Sequence, residues 1–219
     1  MEKNTEDMML SEQRKILLNI AAEKFSKKGF QVETFDTSAE AVNWLKNEIK
    51  TTDIIGFGGS KTLEQIGFFE TFNTTDYPNL LDRNAVGLTY EEKVNIWRKA
   101  LTADVFLCSA NGVSISGELI LIDKNGNRNA AATFGPKKRI FVIGWNKLQK
   151  DFNSAMEYAK NVAAVQNNLR FQTNNPCTKA GKCLNCNTSE GLCFVTTTIS
   201  NVVPAFPATL LIIKEDLGF

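Results

Sequence analysis

The hydrophobic positions of the chain change between a helical spacing and short continuous runs. Apolar residues between positions 6 and 28 recur every three or four residues, which predicts an amphipathic helix that ends at Lys28-Gly29. Residues 30–35 then alternate as expected for a short strand. Continuous apolar runs further along the chain are typical of buried strands. These runs lie at residues 53–57, 104–108, 118–122, 139–144 and 209–213.

Polar sequence signals divide these runs. The Thr-x-x-Glu sequences that begin at Thr37 and Thr89 have the spacing of capping boxes, so each predicts the start of a helix. A further helix is predicted over residues 147–169, and residues 72–88 have the composition of a loop. Asn125-Gly126 follows the run at 118–122 and predicts a hairpin turn with positive φ.

Helices that alternate with buried strands are typical of an α/β fold in which helices sandwich a mainly parallel sheet. A length of 219 residues suits one such domain, and neither a repeat nor a low-complexity linker divides it. We therefore predict a single α/β domain over residues 1–219, with a cysteine-rich segment at 176–193 inside it.

The charge balance and the lack of histidine exclude several classes of partner, catalytic site and metal site. The chain has 25 basic and 24 acidic residues, so it has no general attraction to nucleic acid or anionic membranes. It has no histidine, which excludes Ser-His-Asp catalysis and histidine-ligated metals. The first residues lack the apolar part of a secretory signal, and no run approaches the ~20 apolar residues of a membrane span. We expect a cytoplasmic protein that neither inserts into membranes nor binds nucleic acid.

A glycine-rich turn follows the run at 53–57 and precedes a predicted helix. In Gly58-Gly59-Ser60-Lys61-Thr62, the glycines let the backbone approach a ligand, while the other residues offer hydroxyls and an ammonium group. The turn is neither a Walker A loop nor a G-x-G-x-x-G loop, because it lacks the later glycine of each. We expect it to bind a small carboxylate or phosphate. The alternative is a tight turn in which Ser60 only caps the helix.

Four of the five cysteines lie within seventeen residues, with the spacing C-x5-C-x2-C-x6-C. Thiolates at this density suit zinc or an iron–sulfur cluster, and the spacing names neither. Disulfide or redox chemistry and plain free thiols are the alternatives. Cys108 lies in an apolar run and is expected to be a small core residue. The four candidate metal ligands are Cys177, Cys183, Cys186 and Cys193.

Several of these motifs occur in one characteristic order. They are Gly58-Gly59-Ser60, residues 103–112, Gly117-Glu118-Leu119, residues 126–138 and the cysteines from Pro176-Cys177 to Cys193. In this order they resemble the LUD domain family of lactate utilization proteins, over residues 10–219. The resemblance implies a fold like that of ribose-5-phosphate isomerase and CoA transferases, which hold phosphate or CoA groups on Gly-Ser or Gly-Thr loops. It also implies a part in bacterial oxidation of L-lactate to pyruvate, beside iron–sulfur subunits.

Four further residues are candidates for chemistry. Glu118 begins an apolar run and could abstract a proton next to a carbonyl or attack an acyl group. Relatives carry an acidic residue where this chain has Ser116, and the alternative for Glu118 is a solvated strand start. Arg128 could clamp a carboxylate with two parallel hydrogen bonds, with Asn127 beside it; the alternative is a turn with a surface arginine. Asn111, in the stretch shared with the family, is a further ligand-binding candidate.

Three functions are compatible with these residues. The first is a component of an iron–sulfur-linked lactate-oxidising system that binds a small anionic ligand at the loop of residues 58–62. The second is an independent enzyme that acts on a phosphosugar or an acyl-CoA. The third is a non-catalytic ligand-binding protein with structural zinc on the four cysteines. The sequence leaves oligomer formation open.

Overall fold

Two β-sheets form the centre of the molecule. The computed structural model describes residues 2–219, with side chains from residue 8 onward. The strands are β1 (Gln31–Phe35), β2 (Ile55–Phe57), β3 (Val105–Cys108), β4 (Gly112–Ser114), β5 (Glu118–Asp123), β6 (Lys138–Gly144), β7 (Leu148–Gln149), β8 (Val195–Ile199) and β9 (Ala208–Ile213). The larger sheet is parallel throughout, in the order β1-β9-β6-β3-β2. The smaller sheet has the order β7-β4-β5-β8, with β5 antiparallel to both of its neighbours.

Helices connect the strands and cover them. They are α1 (Glu2–Lys27), α2 (Ser38–Glu48), α3 (Lys61–Gln65), α4 (Phe68–Thr71), α5 (Tyr90–Ala100), α6 (Asn127–Thr133), α7 (Phe152–Tyr158), α8 (Ala164–Arg170) and α9 (Cys177–Ala180). A π-helical turn, Ala159–Ala163, joins α7 to α8, and a 3-10 turn, Trp145–Lys147, follows β6. Within residues 2–219, none of the helices combines the length and the apolar composition needed to cross a bilayer.

Local capping explains where two of the helices begin. At the start of α2 the Thr37 hydroxyl accepts a hydrogen bond from the N–H of Glu40, whose carboxylate accepts one from the N–H of Thr37. Thr89 and Glu92 make the same reciprocal pair at the start of α5. Each pair satisfies backbone donors that a helix end leaves free. Both predicted helix starts are therefore confirmed.

The larger sheet is buried on both faces, because its side chains alternate between two hydrophobic clusters. On β6, Ile140 and Val142 belong to one cluster, while Phe141 and Ile143 belong to the other. Helices α2, α3 and α4 pack on the first face, and α1, α6 and the smaller sheet pack on the second. Helix α7 covers the outer face of the smaller sheet. The predicted α/β fold with a mainly parallel, helix-covered sheet is confirmed.

The structure differs from the prediction in three places. Gly126 has the expected positive φ, +75°, but it precedes α6 and not the second strand of a hairpin. The helix predicted from residue 147 begins at Phe152, because the Asp151 side chain caps that position by accepting from the N–H of Ser154 at 2.8 Å. The smaller sheet takes the place of helices on part of one face of the larger sheet. Its strand β8, which is polar, was not predicted.

Removal of the α2 cap is expected to lower stability. We expect Thr37→Ala to lower the free energy of unfolding by about 1 kcal/mol, because the N–H of Glu40 loses its acceptor. Urea denaturation followed by circular dichroism measures this change. Thr37→Ser keeps a hydroxyl at the same position and should stay within about 0.5 kcal/mol of the wild type. Equal losses in the two variants would contradict the capping role.

Candidate functional site: a basic cavity at the carboxyl ends of the parallel strands

A cavity of about 600 Å³ lies where three parallel strands end. Residues 59–61 reach it from the end of β2, and residues 109–111 reach it from the end of β3. Lys147 reaches it from the 3-10 turn after β6. In open α/β sheets, ligands bind outside the carboxyl ends of the strands. We call this space the basic cavity, and its position alone makes it the candidate site.

The glycine-rich turn shapes one wall of the basic cavity. Gly58 lies against the Arg128 side chain, and a Cβ atom at Gly58 would come within 2.7 Å of Arg128 Cγ. Only glycine therefore leaves room for the arginine. Ser60 lines the cavity and also caps α3, because its hydroxyl accepts from the N–H of Leu63 at 3.1 Å. The turn thus caps its helix, as the alternative interpretation expects, and also faces the cavity.

The Arg128 guanidinium joins three segments beside the basic cavity. Its Nε donates to Asp123 Oδ1 at 2.8 Å, and its Nη1 donates to the Ser109 carbonyl at 3.2 Å. Its Nη2 donates to Asn111 Oδ1 at 2.7 Å and to the Ile122 carbonyl at 2.8 Å. A guanidinium has five N–H donors, so these contacts leave one N–H of Nη1 without a partner among the described residues. Arg128 is therefore mainly a structural residue with one donor left for a ligand.

Lys147 brings an ammonium group into the same cavity, although the residue is only 2% exposed. Its Nζ donates to Ser109 Oγ and the Ala110 carbonyl at 3.0 Å, and to Thr62 Oγ1 at 3.2 Å. Burial, followed by the charge of Arg128, lowers the pKa of Lys147 to about 7. The group is therefore part charged and part neutral at neutral pH. An anion in the cavity would favour the charged form.

Basic side chains outnumber acidic ones around the basic cavity. Arg83 stacks on Trp97, with 5.3 Å between the guanidinium carbon and the ring centroid, and burial is the main cause that lowers the pKa of Arg83. Among the side chains described from residue 8 onward, no ion pair involves Arg83, Arg170 or Lys147. The basic lining residues are Lys61, Arg83, Lys124, Arg128, Lys147 and Arg170, and the acidic ones are Asp123 and Glu190.

Trp97 brings an indole ring to the wall of the basic cavity. Its indole N–H is buried and has no hydrogen-bond partner within the described part of the chain. Because the indole is in the lining, its fluorescence can report ligand binding.

Comparison with known proteins places the chain in a family. A model of the LUD domain matches residues 18–206. The chain belongs to the LUD domain family. This LUD domain also has the fold of a DUF162 family protein from Deinococcus radiodurans, whose crystal structure matches with a TM-score of 0.54 at 12% sequence identity. The match covers 91% of this chain and 98% of the other, and at this identity it concerns the fold. Among curated proteins, none matches the chain.

The structure brings most of the predicted ligand-binding residues of this LUD domain together. Gly59, Ser60, Lys61, Asn111, Asn127 and Arg128 line the basic cavity. Gly58 and Thr62 lie outside the lining and instead contact Arg128 and Lys147, respectively. Six of the predicted residues therefore share one cavity, and the other two contact residues of its lining.

Glu118 lies away from the basic cavity. Its carboxylate pairs with Lys28 and accepts a hydrogen bond from Ser116 Oγ at 2.7 Å. Burial acts to raise the pKa of Glu118, but hydrogen bonds from Lys28, Ser116 and Ser114 outweigh burial and lower the pKa. The carboxylate is thus held charged by its neighbours. The catalytic role of Glu118 stays a prediction, and we assign Glu118 no contact with a ligand in the basic cavity.

Three cavity residues of this LUD domain carry no motif in the sequence. Lys147 has one usable signal, because it closely follows β6 and the carboxyl ends of parallel strands bear ligand sites. Arg83 lies in the long loop before α5, and Arg170 is the last residue of α8. In the sequence, nothing distinguishes these two arginines from ordinary surface arginines. Their meeting at one cavity is a property of the fold.

The four cysteines of the C-terminal segment line a second cavity, of about 270 Å³. They are free thiols, as is Cys108. Burial, together with the thiols of the other three, raises the pKa of Cys193 to about 11. Within the part of the chain that the structure describes, no three metal-ligating side chains already stand in a coordinating arrangement. Cys108 is a buried residue of β3, and burial raises its pKa to about 12, which makes it an unreactive core thiol.

Proposed function

We propose that this LUD domain serves in lactate utilization by binding a small carboxylate, of the size of lactate or pyruvate, in the basic cavity. The observation that carries the proposal is Lys147, a buried amine in a cavity, without an acidic partner among the described residues. A bound carboxylate would supply the missing negative charge, since an unpaired buried charge is costly. Arg83 and Arg170 add positive charge to the same lining.

The wider parts of the proposal rest on membership of the family. Oxidation of lactate to pyruvate is the process with which we associate the cavity, and both compounds are small carboxylates. Iron–sulfur partner subunits and a cytoplasmic location belong to the same proposal, with the family as their support. The role that we propose for the cavity is binding, and no catalytic group is assigned to it.

The size of the basic cavity favours a second candidate, a larger anion such as a phosphosugar or an acyl-CoA. Its volume of about 600 Å³ lies in the range of pockets that enclose much larger ligands than lactate. Trp97 and Phe171 add aromatic surface to the lining. Aromatic faces of this kind suit a ring or an extended ligand better than a three-carbon acid.

Titration calorimetry with L-lactate, pyruvate, inorganic phosphate, ribose 5-phosphate and an acyl-CoA separates the two candidates. We expect a small carboxylate to bind at pH 6.5, where Lys147 is mostly charged, and to change the fluorescence of Trp97. We expect Lys147→Met to weaken this binding about 10- to 100-fold. The three N–H donors of Lys147 are already used within the protein, so its contribution is the weakly screened attraction between its charge and the carboxylate, about 1.5–3 kcal/mol.

Lys150→Met is the matched control, because Lys150 is an exposed lysine outside the cavity lining. It should leave the affinity within about twofold of the wild type, as expected for an isolated surface charge. Binding of ribose 5-phosphate or the acyl-CoA, without binding of lactate or pyruvate, would replace the first candidate by the second. Failure of every compound in the panel to bind would contradict both.

A further inference from the structure

The cysteine-rich segment folds back on the π-helical turn. Cys177 begins α9, Cys183 and Cys186 lie in the loop after it, and Cys193 lies just before β8. All four nevertheless line the same cavity of about 270 Å³. The N–H of Cys183 donates to Asn161 Oδ1 at 2.9 Å, which fixes the loop against the π-helical turn. The convergence is therefore built into the fold.

The backbone between Cys183 and Cys186 suits a sulfur anion. The N–H of Asn185 donates to Cys183 Sγ, with 3.5 Å between nitrogen and sulfur. Asn185 has a φ of +48°, in the left-handed region that asparagine tolerates better than most residues. This conformation turns the loop so that its amide faces the sulfur. Hydrogen bonds of this kind favour a thiolate and orient it as a metal ligand.

A buried amide network anchors the same segment. Asn175 Nδ2 donates to Asn168 Oδ1 at 2.7 Å and to the Glu190 carbonyl at 3.0 Å. Asn168 and Asn175 are 1% and 2% exposed, so these hydrogen bonds are protected from water. Asn168 lies in α8, Asn175 just before Cys177, and Glu190 just before the last cysteine. The network therefore holds both ends of the cysteine-rich segment at the wall of α8.

We propose that Cys177, Cys183, Cys186 and Cys193 form a tetrathiolate zinc site. Zinc takes four sulfur ligands in a tetrahedral arrangement at about 2.3 Å. The chain has no histidine, and among the described residues the lining of this cavity has four thiols and no carboxylate, so a zinc site there would be made of sulfur alone. The thiols lie around one cavity but are not yet at coordinating distance. Cys186 and Cys193 are exposed and lie outside helices and strands, whereas Cys183 is held by Asn161. Cys186 and Cys193 are therefore the ligands that move inward as each thiol releases its proton to solvent.

The test begins with the reduced full-length chain. We expect one zinc per chain after purification without added metal, removal of that zinc by a chelator, and rebinding on titration with Zn²⁺. Titration with Co²⁺ should give the absorption of a tetrahedral thiolate complex, which reports both geometry and sulfur ligation. Bound zinc should also protect four of the five thiols from an alkylating reagent at neutral pH, with Cys108 protected by burial in both states.

Single substitutions locate the site. We expect Cys183→Ser and Cys186→Ser each to weaken zinc binding by at least ~100-fold, since a lost ligand costs more than a lost outer-shell contact. Cys108→Ala removes the fifth cysteine and should still bind one zinc. Circular dichroism of each variant shows whether it is folded, and the chelation of the wild-type chain tests the proposal without any substitution.

Four results would overturn the proposal. One is a wild-type chain that takes up no zinc, and a second is zinc uptake that leaves the four thiols open to alkylation. A third is equal zinc affinity in Cys183→Ser and the wild type. The last is iron with an iron–sulfur absorption spectrum in anaerobically purified protein, because this would assign the thiols to a cluster. The readouts involve metal and thiols alone, so they stand apart from the outcome of the carboxylate titrations.

Discussion

We expect Arg128→Ala to lower the free energy of unfolding by about 3–5 kcal/mol, the usual loss when one partner of a buried ion pair is removed. Arg128 satisfies Asp123, Asn111 and two backbone carbonyls at once. Both side chains of the ion pair are 11% exposed, so water compensates little when the guanidinium is absent. Urea denaturation followed by circular dichroism measures the loss.

Two further variants separate charge from packing in this network. Asp123→Asn in the Arg128→Ala background removes the unpaired charge and should return about 1–2 kcal/mol of the loss. Lys124→Ala removes an exposed cation next to Asp123 and should change stability by less than about 0.5 kcal/mol. If Arg128→Ala proved as mild as Lys124→Ala, the guanidinium would not hold the three segments together.

The second large effect is a pH dependence caused by Lys147. Its pKa is about 7 in the folded chain against an ordinary value of 10.5, so between these values the unfolded chain binds more protons. Stability contributed by this group therefore rises with pH through that window and is lost as pH falls through about 7. Between pH 6.5 and 8.5 we expect a gain of about 2 kcal/mol in the ligand-free protein.

The comparison that isolates this gain is the wild type against Lys147→Met, in urea denaturation at each pH. Subtraction of the two curves removes the contributions of groups that both proteins share. The upper limit of pH 8.5 lies below the ordinary thiol pKa of 9.0. Above that value the unfolded thiols ionise, while the raised pKa values of Cys108 and Cys193, about 12 and about 11, keep these thiols neutral in the folded chain, so stability falls. A difference that does not change with pH would show that Lys147 stays charged in the folded protein.

The sequence predicted elements whose signals are local. The run at 139–144 became β6 and the run at 209–213 became β9, because strands buried on both faces need continuous apolar residues. Strand β8 escaped prediction because Thr196, Thr197 and Thr198 are polar, although their β-branched side chains favour strands. Gly126 has the positive φ that its type predicts, but the chain then enters α6, where Arg128 Nε donates to Asp123.

In the candidate site, too, only the residues next to a recognisable strand could be predicted. Ser60 and Asn111 could be placed at the cavity because each directly follows a recognisable strand. Arg83, Lys147 and Arg170 come from segments far apart in the chain, and only the sheet order brings them together. A single sequence contains the strands but not their order. The sequence therefore does not predict the positive charge of the basic cavity, on which the proposed function depends.

Within residues 2–219, strand β1 has a single neighbour in the larger sheet, β9, so the first strand of this range is completed by its last. Gln31 and its partner Thr209 are 178 residues apart. On a ribosome that adds about 5–20 residues per second, β1 waits roughly 10–35 s for its partner to be made. During this interval β2, β3 and β6 can already pair, while β1 and the β6 edge remain open to other strands. The nascent chain is therefore most exposed to misassembly until β9 has been made.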